Sequence, residues 1–311
     1  LKVSLVQTSQ IKIGTRESPL ALAQAHETRD RLVATHGLDA SSIKIVVIST
    51  TGDQIVDKPL AEIGGKGLFT KELEEQLYDG RIDMAVHSMK DMPAELPDGL
   101  EICCLLERED VRDAFLSPTV GSIAELPEGA TVGSSSVRRA AQLLHIRPDL
   151  NVVQFRGNVQ TRLRKLDEGV AIATFLACAG LHRLGMTDLI TSAISIEDML
   201  PAVAQGAIGI EIASNNALAR ALLAPLNHPE TTVCIETERA FLKDLDGSCS
   251  TPLAGNATLS GETITFHAMA LTLDGKKVFQ TSRTGNSSEA AAMGVDAARE
   301  IRVMAGSDLV T

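Results

Sequence analysis

The sequence predicts an α/β protein with two doubly wound domains and a smaller C-terminal α+β domain built on a small antiparallel sheet. Three observations carry that expectation. Apolar β-branched runs alternate with helix-length stretches from about residue 11, and the alternation restarts after Asp113; such a pattern builds parallel sheets covered by helices on both faces. From about residue 229 the character changes to one amphipathic helix, three alternating strands and a last helix. The chain has 311 residues, which suits two or three domains at a common size of roughly 150 residues each. The expected boundaries are 10–106 together with 207–224 for the first α/β domain, 112–200 for the second, and 229–311 for the third.

Taken in order, Ile11 to Thr15 reads as a short strand. Ser18 and Pro19 follow it, an N-cap hydroxyl and a first-turn proline whose missing N–H costs a helix nothing. Leu20, Leu22, Ala25 and Leu32 then recur near helical spacing until Gly37. Ile43 to Ser49 is a β-branched run, read as a buried strand. The loop Gly64-Gly65-Lys66-Gly67 precedes a helix from Thr70 to Tyr78, and Ile82 to His87 is a strand leaving into the polar loop Ser88 to Asp91. In the second domain Ala130 to Gly133, Asn151 to Phe155 and Ile172 to Leu176 are strands. One helix runs from Ser134-Ser135-Ser136 through Ile146, another from Asn158 to Asp167. Pro201 to Ile212, apolar and Gly-rich, is placed to return the chain to the first domain. The third domain reads as a helix from Thr231 to Leu245, strands at Ala254–Leu259, Thr263–Leu271 and Lys277–Ser282, and a helix from about Ser288.

Composition narrows the function. Lys+Arg total 29 against 40 Asp+Glu, a formal net charge of −11, and aromatic residues are 3% with no Trp and one Tyr. An acidic chain poor in stacking rings is unsuited to nucleic acid, so none is expected as a partner. The longest apolar run, Val170 to Leu181, falls short of the roughly 20 residues that span a bilayer, so no membrane partner is expected either. Five cysteines without CxxC spacing argue against a disulfide framework or a zinc ribbon. No signal peptide opens the sequence, and the expected setting is a reducing compartment. The charge is uneven: Arg138 to Arg183 carries seven Arg and one Lys against three acids. A basic island in an acidic protein points to an anionic ligand held at one place, and Arg's planar fork suits carboxylates and phosphates. Arginines paired locally on helix surfaces are the alternative.

In open parallel sheets, ligands lie beyond the carboxyl ends of strands, near helix N-termini. Four polar clusters fall there: Thr15-Arg16-Glu17-Ser18, Ser88-Met89-Lys90-Asp91, Ser134-Ser135-Ser136 and Arg156-Gly157-Asn158. Each alone is explained by helix capping; their recurrence in both halves favours a shared site in a cleft that opens about a hinge. Gly64 to Gly67 lacks the GxxxxGK[ST] spacing and reads as a mobile lid or turn rather than a phosphate loop. Ser88 and Lys90 invite a serine–lysine nucleophile, but an anchoring Lys90 fits the strand exit better. Asp91, flanked by Lys90, is suited to stay ionised and steady a developing cation, with a turn aspartate before Met92-Pro93 as the plainer reading. Cys103, Cys104, Cys178 and Cys234 sit in apolar stretches and read as core, whereas Cys249 lies in the small-residue loop Asp246-Gly247-Ser248-Cys249-Ser250-Thr251-Pro252, where a thiol is open to reaction. His87 and His182 have no partners at metal-ligand spacing, so no metal is expected.

Nine ordered stretches resemble the porphobilinogen deaminase (hydroxymethylbilane synthase) family. They are Ile13 to Leu22, Ile63 to Phe69, Ala85 to Pro93, Arg108 to Phe115, Gly133 to Arg139, Phe155 to Arg162, Ala179 to Gly185, Leu200 to Gly206 and Leu245 to Cys249. The resemblance runs from about residue 10 to the end. It implies two domains resembling type II periplasmic binding proteins and a transferase of tetrapyrrole (haem and chlorophyll) biosynthesis. Four porphobilinogen molecules are condensed head to tail with loss of ammonia, and hydrolysis frees linear hydroxymethylbilane. Growth takes place on a dipyrromethane cofactor held by a thioether, which the match places on Cys249. It also places the catalytic aspartate at Asp91, the cofactor- and substrate-carboxylate ligands at Arg16, Ser18, Lys90, Ser134, Ser136, Arg138, Arg139, Arg156, Arg162 and Arg183, and a mobile loop at Lys66 and Phe69. The partners implied are porphobilinogen and the growing oligopyrrole, and the expected state is a monomer in the cytoplasm, or the plastid stroma of a photosynthetic eukaryote.

The residues fit that chemistry on their own terms. Each porphobilinogen brings an acetate and a propionate, so a growing chain accumulates carboxylates that an Arg island can hold. Loss of ammonia leaves a pyrrole-stabilised cation that an ionised Asp91 steadies, and a thiol is a strong nucleophile for a lasting tether. Departures from the family pattern fall at Glu17, Glu62, His182 and Ser250, none of them a residue given a catalytic role. Two other readings compete: a two-domain anion-binding protein for solute capture, and a silent homologue kept for interaction.

Overall fold

The structure, a computed structural model, describes residues 10–54, 67–247 and 251–308. Within these, two five-stranded sheets share one topology. In the first the order is β2 (Ile43–Ile48), β1 (Ile11–Arg16), β3 (Met84–Ser88), β10 (Ile208–Ala213), β4 (Leu100–Leu105). In the second it is β7 (Asn151–Val153), β6 (Thr131–Gly133), β8 (Ala173–Ala177), β5 (Asp113–Leu116), β9 (Ser192–Ala193). In each, the first three strands are parallel and the fourth runs against both neighbours. The expected purely parallel pairing is therefore corrected to a mixed sheet. The odd strand is a loan: β10 reaches the first sheet after the chain has built the second, and β5 leaves the first unit to become an inner strand of the second. β5 has four residues, all buried, so it shows no alternation by which a sequence reading could find it.

The two connections lie side by side. Leu106 N donates to Ile208 O at 3.1 Å and Glu109 N to Gly206 O at 3.3 Å. Gly206 has φ 89°, and a Cβ there would stand 2.5 Å from Glu109 O, so only glycine allows the two hinge segments to approach this closely.

Helices α1 (Pro19–His36), α2 (Thr51–Gln54) and α3 (Lys71–Tyr78) belong to the first unit, and α4 (Val137–Ile146), α5 (Val159–Asp167) and α6 (Cys178–Arg183) to the second. The caps are where the sequence places them: Ser18 accepts from Ala21 N, Ser136 from Arg139 N and Asn158 from Thr161 N, while Gly37 closes α1 at φ 63°. One expectation fails. β2 is an edge strand, with Lys44 exposed and Val47 52% exposed, because among the described residues nothing pairs beyond it and the β-branched run reports strand propensity rather than burial.

After α7 (Ala217–Leu223), the third unit consists of α8 (Pro229–Asp244), the antiparallel strands β11 (Leu253–Ser260), β12 (Thr263–Leu271) and β13 (Val278–Asn286), and α9 (Ala290–Ala305). Gly294 of α9 lies against Thr237 O, so the two helices meet nearly backbone to backbone. Phe241 and Phe266 cross edge to face at 5.5 Å. This core does not stop at the unit's border: Met89 and Met92 are buried in the same apolar cluster, and full burial of such a side chain is worth about 1.5–3 kcal/mol. The turn that carries Asp91 is thereby seated on the third unit.

Candidate active site

Each candidate cluster leaves the carboxyl end of a strand. β1 delivers Arg16, and Ser18 caps the helix after it. β3 ends at Ser88 and turns through the single 3₁₀ turn Met89–Asp91, which replaces the expected loop. β6 delivers Ser134 to Ser136, the last of which caps α4. Capping therefore does operate at Ser18 and Ser136, and Ser134 Oγ receives Ser136 N at 3.2 Å. Ser88, set aside as half of a serine–lysine nucleophile, is partnered by Gln24: its Oγ lies 2.8 Å from Gln24 Nε2 and 3.0 Å from Gln24 Oε1.

Arg16 Nη1 stands 3.9 Å from Asp91 Oδ2, the two side chains being 20% and 39% exposed. The guanidinium carbon of Arg16 is 4.1 Å from the centre of the Phe69 ring, a cation–π contact across the mouth of the site. From the opposite unit, Arg162 donates its Nε to Gly157 O at 3.0 Å. Burial, then the like charge of Arg139 and that of Arg156, brings the Arg162 guanidinium down to about 10, with Asp91 opposing. Lys90 is half-buried beside Asp91. Burial first, then Arg139 and Arg138, brings its ammonium down to about 8, with Asp91 and Asp113 opposing. Lys90 is thus influenced by Arg138 and Arg139 of the second unit, and Arg162 by Asp91 of the first.

The Arg island is not uniform. Arg139 donates Nε and Nη2 to Asp113 Oδ1 at 3.0 and 2.7 Å and Nη1 to Phe175 O at 3.0 Å. Arg138 Nη2 is 2.8 Å from Asp113 Oδ2, and its Nη1 donates to Leu200 O at 2.7 Å. Asp113 is fully buried. Burial pushes its carboxyl up, but the two guanidiniums and the hydrogen bonds from Arg139 and Gln205 outweigh that and hold it well below the usual carboxylate range. Arg183 ties the units together, its Nε 3.3 Å from Glu27 Oε2 on α1 and its Nη2 donating to Gly206 O at 3.0 Å. Close by, His182 Nδ1 lies 3.2 Å from Glu109 Oε1. Sequence reasoning missed Asp113, Gln205, Glu27 and Gln24 as partners, because an acid or amide looks solvated in the sequence until the fold closes over it.

Two donors of the Arg island are left over, besides Arg239 Nη1 on α8. Arg156 Nη1 and Arg138 Nε are buried with no acceptor among the described residues. Buried polar groups without partners are uncommon and costly, and two guanidinium donors in this position suit a ligand bearing carboxylates, as dipyrromethane does. Cys103 is half-buried and Cys104, Cys178 and Cys234 are buried. Burial pushes the thiols of Cys103, Cys178 and Cys234 up to about 11 and that of Cys104 up to about 12, so none of the four is a ready nucleophile. Cys249, Lys66, Glu62 and Ser250 lie outside the described residues. Among the described residues no group of three or more His, Cys, Asp or Glu is placed to hold a metal ion, and no helix is long and apolar enough to cross a membrane.

Fold and site together define a two-lobed α/β protein whose arginine-rich cluster is suited to small anions beside the partly exposed Asp91. Residues 11–221 match the family described as porphobilinogen deaminase, dipyromethane cofactor binding domain, and residues 232–302 match the porphobilinogen deaminase C-terminal domain. The porphobilinogen deaminase of Paracoccus denitrificans is 57% identical over 96% of this chain and 95% of its own length. The chloroplastic enzyme of Pisum sativum is 55% identical over 96% of this chain and 83% of its own. Among solved structures, a periplasmic substrate-binding protein of an ABC transporter from Coxiella burnetii covers 72% of this chain and 94% of its own at 13% identity, with a TM-score of 0.43. The chain belongs to the porphobilinogen deaminase family.

Proposed function

We propose that this chain carries out its family's transferase reaction, the head-to-tail condensation of four porphobilinogen molecules with release of ammonia at each step and of linear hydroxymethylbilane by hydrolysis. The observation that carries the reading is the Arg16–Asp91 pair at 3.9 Å in one unit, with Asp91 close enough to act on the charge of Arg162 in the other. Asp91 is the catalytic residue: it steadies the cation left when ammonia departs and takes up the proton released on coupling, a contribution of several kcal/mol for a preorganised charge in a partly dry site. Arg16, Lys90, Arg156 and Arg162 take substrate carboxylates. Arg138 and Arg139, already joined to Asp113, supply positive charge and the spare Nε of Arg138 from the buried rear of the cleft. Ser18, Ser134 and Ser136 add hydroxyls at helix N-termini, and Arg183 serves the same cleft from its tie to Glu27. Phe69, whose ring lies against the Arg16 guanidinium, shares with Lys66 the role of the family's mobile loop.

Dipyrromethane, tethered by a thioether to Cys249, supplies the free pyrrole carbon on which the chain is built. The high thiol values of the other four cysteines support that attachment. In this reading residues 10–106 with 207–224, 112–200 and 229–311 act as three domains, the last carrying the tether. The protein works as a monomer, in the cytoplasm or, in a photosynthetic eukaryote, the plastid stroma. Mass spectrometry of the peptide bearing Cys249, with an assay of porphobilinogen consumption, tests the proposal. An adduct of dipyrromethane mass with substrate turnover is expected; an unmodified Cys249 in a chain that leaves porphobilinogen untouched overturns it.

A further inference from the structure

The roles above leave the buried pair of His87 and Glu211 without a task. His87 Nε2 lies 2.9 Å from Glu211 Oε2, with the side chains 4% and 0% exposed, and Glu211 Oε1 has no partner among the described residues. A buried polar pair is a poor way to stabilise a sheet, since the loss of hydration offsets most of the attraction; a hydrophobic pair would hold β3 and β10 at least as well. Its position suggests a different purpose. His87 lines, with Arg16, Gln24, Phe69, Ser88 and Asp91, a cavity of about 50 Å³.

His87 also stands immediately before the turn that presents Asp91. In register, Gly209 of β10 faces His87 and Ile208 faces Ser88, and Met89 N donates to Ala207 O at 3.0 Å. A Cβ on Gly209 would collide with Met89 Sδ, so the turn lies flat on β10. On the far side of Asp91, Arg239 of α8 donates Nη2 to Pro93 O at 2.8 Å and Ala94 O at 3.1 Å. The turn is thus bracketed by polar contacts before and after the aspartate.

We propose that His87 and Glu211 are a positioning pair for Asp91: the Glu211 carboxylate on β10, the strand arriving from the hinge, grips the His87 imidazole on β3 and so fixes where the Asp91 turn stands relative to Arg16. The proposal rests on the catalytic role given to Asp91 above. Neither residue touches the reacting atoms; both act through the backbone between His87 and Asp91.

The test compares His87→Leu, His87→Gln and Glu211→Gln in the holoenzyme, measuring kcat and KM for porphobilinogen and, by intact mass, the covalent adduct. For His87→Leu, kcat falls roughly 10–100-fold, the scale of a displaced catalytic group, while KM and adduct stay as in wild type. His87→Gln, whose amide still donates to Glu211, recovers most of the loss. A wild-type kcat for His87→Leu, a raised KM with intact kcat, or a Gln variant no better than Leu overturns the proposal. Should His87→Leu not fold, Glu211→Gln decides: a lowered kcat at unchanged KM supports the pair and an unchanged kcat sinks it. A wild-type chain that consumes no porphobilinogen overturns the assigned reaction and this role with it, a result distinct from an active wild type with unimpaired variants.

Discussion

Asp113 and Asp91 both face arginine, yet their surroundings are opposite. Asp113 is fully buried and meets Arg138 and Arg139 at 2.7 to 2.8 Å, with Gln205 adding a donor at 3.0 Å. Asp91 is 39% exposed and meets Arg16 at 3.9 Å, beyond hydrogen-bond distance, so its carboxylate stays accessible to water. The first arrangement is closed and consumes most of its hydrogen-bonding capacity internally. The second is open, and its charge remains available to a cation that forms nearby. The comparison teaches that an Arg–Asp pairing does not reveal its role from residue types alone. Geometry and hydration separate a structural knot from a reactive one.

The largest expected effect breaks the closed knot. Asp113→Asn leaves two guanidiniums buried without a counter-charge and lowers stability by about 3–5 kcal/mol, read by denaturant unfolding. Because the Asp113 carboxyl is held below its unfolded value, its contribution is fully present above about pH 4, the unfolded carboxyl range. It is lost only as pH falls through the depressed folded value. The gap between wild type and variant therefore stays constant from neutral pH to about pH 4 and narrows below it. A gap that closes near pH 6 would contradict the assignment.

Next comes the open pair. Asp91→Asn keeps shape and loses charge, so turnover drops by about 10²–10³-fold while melting temperature and cofactor mass remain those of wild type. Matching losses of stability in the two aspartate variants would erase the distinction drawn between them. Lys90 sharpens it further. Burial and the neighbouring arginines bring this ammonium down to about 8, so the free enzyme loses one positive charge beside Asp91 as pH rises through that value. KM for the anionic substrate should increase above about pH 8 in wild type and show no such inflection in Lys90→Gln. The smallest effect is at the mouth: Phe69→Leu removes the ring beneath Arg16, a contact worth about 0.5–1 kcal/mol at exposed sites, and KM should rise about two- to fivefold.

Much of this was legible in the chain. Ser18-Pro19 and Gly37 announce the limits of α1, Asn158 announces α5, and the third unit's strands alternate visibly, because caps and half-buried strands write their physics into a few adjacent residues. The run of arginines from Arg138 to Arg183 foretells an anionic ligand for the same reason: charge is local information. β5 and the direction of β10 were not legible. Whether a four-residue apolar run pairs, and which way it runs, depends on strands from the other side of a crossover.

The same division holds within the site. Residue types by themselves pointed to an anionic ligand and to Asp91, beside Lys90, as the candidate reactive carboxylate. Only the tertiary structure decided that Arg138 and Arg139 turn inward to Asp113 while Arg16 stays at the opening, and that His87 finds Glu211 beneath the Asp91 turn. Partner choice is fixed by distance and by exclusion of water, and both arise only when segments far apart in the chain are packed against one another.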